Sequence, residues 1–143
     1  MTDIMDWGRC EREFVRKVDF DIERISSLQE KAELRLKRAK NTEVTEETVS
    51  FVVEDYYEVM KELLDAYLLK NGLKSGNHQC LISYFYKKHP NYEHEALLIA
   101  QMSFFRNRLD YYGESIPLSF YKKNKEEFLK IIAILQRLVS ETQ

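Results

Sequence analysis

Apolar residues recur at steps of three and four along most of this chain, and only four glycines and two prolines interrupt them. An α-helix turns once every 3.6 residues, so this spacing keeps the apolar side chains on one face. Strand-like alternation is weak throughout. The first periodic stretch covers residues 9–40, with Phe14, Val18, Ile22, Ile25, Leu28, Ala32, Leu36 and Ala39 as its stripe. A second begins near Thr45, an N-cap residue followed by Glu46 and Glu47, whose carboxylates suit the positive end of a helix dipole. Its stripe is Val49, Val52, Val53, Tyr56, Tyr57, Met60, Leu63, Leu64, Tyr67 and Leu68, and Gly72 terminates it. Residues 73–77 read as a loop. A short helix over residues 78–88 stops before Pro90. A fourth covers 93–112, carrying Leu98, Met102, Phe105, Leu109 and Tyr112, with Gly113 as its stop. The last starts between Ser119 and Asn124 and buries Phe128, Ile131, Ile132, Leu135 and Leu138. Four long helices and one short one, joined by short loops, predict an all-α fold, an antiparallel helical bundle.

With 143 residues and no repeat or flexible linker, a single domain over 1–143 is expected. A formal charge of −2 gives no whole-chain field towards nucleic acid or an anionic membrane, so any anion-binding surface must be local. No unbroken apolar run is longer than that of Ala96 to Ala100, far too short to span a bilayer, and no membrane partner is expected. Met1 to Trp7 lacks the charged-then-apolar pattern of a signal peptide. Cys10 and Cys80 form no metal-type spacing, and reduced, buried thiols in a cytoplasmic protein are the simpler expectation.

The densest chemistry lies in residues 104–113, Phe-Phe-Arg-Asn-Arg-Leu-Asp-Tyr-Tyr-Gly. Arginine holds phosphate through two parallel hydrogen bonds, an amide can orient a ribose or a phosphate oxygen, and a phenol can stack on a base. The same residues also have a plain reading. Arg106 and Asp110 stand four apart, and such an exposed helix pair contributes only about 0.3–0.5 kcal/mol. At about 100° per residue, Arg106 and Tyr111 point roughly 140° apart on a straight helix. One ligand could touch both only at a bent helix end or across two subunits.

Arg106-Asn107 followed by Tyr111 resembles the signature of the HEPN family, an Arg, a polar residue and a His after four to six intervening positions. Tyr56-Tyr57, Leu63-Leu64, Lys70-Asn71-Gly72-Leu73 and His78 leading into Leu81-Ile82-Ser83-Tyr84-Phe85 are similar to the family's second helix, loop and following helix. The likeness extends from about Val18 to Val139. It implies a helical bundle that acts on RNA or nucleotides, as a homodimer in the metal-independent toxin ribonucleases. Arg106, Asn107 and Tyr111 would then be the catalytic positions, and Arg108, Asp110, Tyr112 and His78 would bind ligand, with no metal and no cofactor. Tyr111 stands where RNA-cleaving members carry His. A proton shuttle at neutral pH needs a pKa near 7, which phenols, at about 10, do not ordinarily have. The resemblance also implies an alternative, a non-catalytic module docking on a minimal nucleotidyltransferase that modifies a tyrosine beside the motif.

The remaining charged residues read as surface. His89 and His94 fit a solvated loop better than a metal site. Arg35, Lys37, Arg38 and Lys40 suit the negative end of the first helix. Lys122, Lys123 and Lys125 would build a phosphate-binding face if the bundle brought them to Arg106. Glu54, Asp55, Glu58, Glu62 and Asp65 read as an outward acidic face, open to solvent or to a basic partner.

Overall fold

The computed structural model describes residues 3–141 and is mostly helical. In chain order it forms α1 (Trp7–Glu13), β1 (Val15–Lys17), α2 (Ile22–Asn41), α3 (Val49–Lys70), β2 (Leu73–Ser75), α4 (His78–Lys88), a single 3-10 turn (Pro90–Tyr92), α5 (Glu93–Tyr112) and α6 (Leu118–Ser140).

The four long helices reverse direction one after another. Arg38 pairs with Asp55 and Arg35 with Glu62, so α2 and α3 are antiparallel. Glu54 faces Arg106 while Tyr57, a turn later, meets Ser103, and Phe105 packs on Phe120 while Glu95 pairs with Lys130. Thus α5 opposes both α3 and α6. α3 is the central element, buried on most of its circumference and in contact with α2, α4, α5 and α6. Val52, Tyr56, Val59, Met60, Leu63 and Leu64 from α3 meet Ile99 and Met102 of α5 and Phe128, Ile131 and Leu135 of α6 in one core.

The expected single helix over residues 9–40 is broken. Residues 15–17 leave the helix and pair antiparallel with Leu73–Ser75, Val15 opposite Ser75 and Lys17 opposite Leu73. The segment expected as a loop is therefore half strand. Asp21 restarts the helix by accepting a hydrogen bond from the Arg24 amide at 3.1 Å. Ile25, Ala32 and Ala39 are buried as the stripe requires, whereas Phe14 and Ile22 at the break are exposed.

The N-cap of α3 is Thr48 and not Thr45, which instead closes the turn ahead of the helix. The Thr45 hydroxyl accepts from the amides of Glu47 and Thr48, and its carbonyl accepts from Val49. Gly72 and Gly113 take positive φ, 75° and 67°, the left-handed conformation that ends α3 and α5. α6 starts at Leu118, one residue ahead of the expected range.

Cys10 and Cys80 are joined by a disulfide, in place of the reduced thiols expected from their spacing. Packing explains the encounter. Trp7 lies against Tyr84 at 5.1 Å, the Ser83 hydroxyl donates to the Met5 carbonyl, and Ser75 donates to that of Phe14. These contacts seat α1 on α4 and leave the two Cα atoms 5.5 Å apart, within bridging range.

Candidate functional site

The last two turns of α5 carry the motif residues, and the helix continues unbroken through them to Gly113. Arg106 and Tyr111 therefore diverge within one chain. Arg106 turns inward against α3, with Nη2 3.2 Å from Glu58 Oε1 and Nε 3.2 Å from Asp110 Oδ2 and 4.0 Å from Glu54 Oε2. One guanidinium faces three carboxylates, a surrounding that repels phosphate and holds the arginine as a tie between helices. Burial, then the Asp110 carboxylate and its hydrogen bond, raise the Glu54 pKa above its ordinary value, while Arg106 partly offsets this.

Asn107 points to solvent. Tyr111 and Tyr112 are 78% and 69% exposed, and Phe104 stands 41% exposed one turn earlier. Tyr112, expected on the buried stripe, lies beyond the edge of the core. Its ring is covered instead by the Arg108 guanidinium, 4.5 Å from the centroid. Arg108 is also hydrogen-bonded to Glu114, through Nε at 2.9 Å and through Nη2. The end of α5 is thus an aromatic surface edged by acids.

His78 lies one layer deeper, at the first position of α4. Its Nδ1 is 3.4 Å from the hydroxyl of Tyr57, which is buried on α3 and also donates to Ser103 of α5; Gln79 donates to the same Ser103 oxygen at 3.0 Å. A buried phenol needs such partners. Burial lowers the His78 pKa, and the cations of Lys61 and Arg106 push it the same way, against Glu58. The structure thus brings His78 near Arg106 and leaves Asn107, Tyr111 and Tyr112 outside.

The acidic row of α3 is not the outward face expected from the sequence. Glu62 is 4% exposed and pairs with Arg35 at 2.7 Å, Asp55 receives Arg38 at 2.9 Å, and Lys61 lies between Glu58 and Asp65. The basic end of α2 serves these carboxylates. His89 is likewise no solvated loop residue: its Nε2 is 3.0 Å from the Tyr67 hydroxyl, among the rings of Phe85 and Tyr92. Lys122, Lys123 and Lys125 stay exposed on α6, and among the described residues no hydrogen bond or ion pair joins them to the Arg106 segment.

No protein-family model, curated protein or solved structure matches this chain. No helix among the described residues is long and apolar enough to cross a membrane.

Proposed function

We propose that this chain is an RNA- or nucleotide-binding module of HEPN type that takes bases on the aromatic end of α5 and does not cleave. The observation that carries this reading is the exposure of Tyr111 and Tyr112 beside Asn107 on a helix end anchored by Arg106. Base stacking on an aromatic side chain contributes about 1–3 kcal/mol per base and needs no phosphate clamp. Metal-independent cleavage is disfavoured on two grounds, since Arg106 is committed to carboxylates and a phenol stands in place of the His. A homodimer pairing the two α5 ends would bring both sets of Asn107 and Tyr111 together. RNA as ligand implies a cytoplasmic location; the Cys10–Cys80 bridge pulls the other way, because stable disulfides belong to oxidising compartments.

The test is labelled single-stranded RNA incubated in chelator with wild type, Tyr111→Ala and Arg106→Ala. Intact RNA bound by wild type, and bound about tenfold more weakly by Tyr111→Ala, supports the reading. Cleavage by wild type that Arg106→Ala abolishes replaces it with the ribonuclease. Absence of binding removes both.

A second reading draws on the same exposure. Both tyrosines are exposed, so a minimal nucleotidyltransferase could transfer a nucleotidyl group from a nucleoside triphosphate to either phenol oxygen, releasing pyrophosphate and the phenol proton. Mass spectrometry of protein from its native cell tests this, with a nucleotide adduct on either tyrosine as the supporting result.

A further inference from the structure

The polar row on α3 changes character along its length. Towards Glu54 it is acidic, while from Lys61 onwards it opens into a small cleft between α2, α3 and the β2–α4 connection. This cleft measures about 190 Å³, and its polar walls are Arg24, Lys61, Asp65, Lys74, Gly76 and His78. Three permanent cations from three separate elements face one carboxylate there. Lys61 is held loosely, 3.7 Å from Asp65 and 4.0 Å from Glu58. Among the described residues, neither the Arg24 guanidinium nor the Lys74 ammonium makes an ion pair or hydrogen bond, although both act on Asp65 through space. Lys74 is half-buried at the wall of the cleft.

We infer that this cleft is a phosphate site for the terminal phosphomonoester of a nucleotide or an RNA end. Cations from three separate elements line the cleft, and each can give an oxyanion a charge-assisted hydrogen bond. His78 closes the fourth side at the start of α4, where the helix dipole also favours an anion. The volume admits a phosphate and a few waters, but falls short of the roughly 300 Å³ at which whole-ligand pockets begin. A nucleoside body must then lie outside the cleft. Glu54 and Lys61 are seven residues apart on α3, a rise of about 10 Å, so the site is separate from the aromatic end of α5. The inference rests on the RNA or nucleotide reading for the identity of the ligand alone.

The test is titration of inorganic phosphate into the full chain, followed by amide NMR and repeated with Arg24→Ala, Lys74→Ala and Lys123→Ala. The site predicts saturable shifts centred on Gly76 and His78, about tenfold weaker binding in each of the first two variants, and no change in the third. Among the described residues Arg24 and Lys74 have no hydrogen bond or ion pair to lose, only a through-space attraction to Asp65, and circular dichroism verifies that both variants fold. Lack of saturation up to about 50 mM phosphate overturns the site, as does equal loss in all three variants. AMP against adenosine, and 5′-phosphorylated against 5′-hydroxyl trinucleotide, then identify the source. If neither phosphorylated ligand binds better than its partner, the phosphomonoester assignment is overturned. Phosphate binding without any RNA binding would keep the site and remove the RNA reading, whereas RNA binding indifferent to Arg24 and Lys74 would do the reverse.

Discussion

Arg106 Nη2 lies 3.2 Å from Glu58 Oε1, so the arginine most suited by type to hold a phosphate is instead the tie between α5 and α3. Its removal takes away the cation that Glu54, Glu58 and Asp110 share. Arg106→Ala should therefore lower the unfolding free energy by about 2 kcal/mol, below the range for a fully buried pair because the site is partly open to water. Urea denaturation measures it, and an unchanged midpoint would mean that the arginine is free.

Glu54 supplies a pH signature for the same cluster. Its folded-state pKa is raised, by burial first and Asp110 second. A raised carboxylate stabilises the fold below its unfolded pKa, and that contribution is lost as pH rises through the folded value. Glu54→Gln should thus be more stable than wild type at pH 7, by about 0.5 kcal/mol, the scale of a partly exposed charge pair. The advantage should vanish near pH 4. Melting curves at both pH values decide, and a variant less stable at pH 7 would show that the attraction of Arg106 outweighs the repulsion of Asp110.

Arg35 and Glu62 form the most enclosed ion pair between α2 and α3. Arg35→Ala strands a buried carboxylate and should cost about 3 kcal/mol, whereas replacing the pair together, Arg35→Met with Glu62→Leu, should cost less than 1 kcal/mol or stabilise. Chemical denaturation of wild type and the two variants reads this out, and equal losses in the single and double variants would count against it.

Much of this architecture was legible in the amino-acid order. Val52, Tyr56, Met60, Leu63 and Leu64 fall on the helical repeat and are buried. The break before α2 was hidden because Phe14, Val18 and Ile22 continue the helical phase across it. Only pairing with Leu73–Ser75, a long-range event, pulls residues 15–17 out; Asp21 as an N-cap was the local signal. Periodicity finds the face of a helix but not what packs there. The carboxylates of α3 and the arginines of α2 were visible as opposite charges, yet only the fold pairs Glu62 with Arg35 and Asp55 with Arg38. The cleft escaped for the same reason, since Arg24, Lys61 and Lys74 are distant in sequence.

The disulfide closes a loop of 70 residues, and limiting the unfolded chain in this way stabilises by about 4 kcal/mol. Reduction, or Cys10→Ser, should lower Tm by about 10 °C. Calorimetry with and without reductant checks this, and identical melting would show that α1 stays seated by Trp7 and Ser83 without the bridge.

RNA binding by this chain rests on base stacking at the end of α5. The direct measurement is RNA affinity by fluorescence anisotropy across a salt series, for wild type and for Tyr111→Ala with Tyr112→Ala. Stacking predicts a shallow dependence, a slope of log affinity on log salt no steeper than about −2, where each phosphate engaged on a single strand adds roughly −0.7. It also predicts at least a tenfold loss in the double variant. A steep slope with the variant binding as tightly as wild type would contradict it.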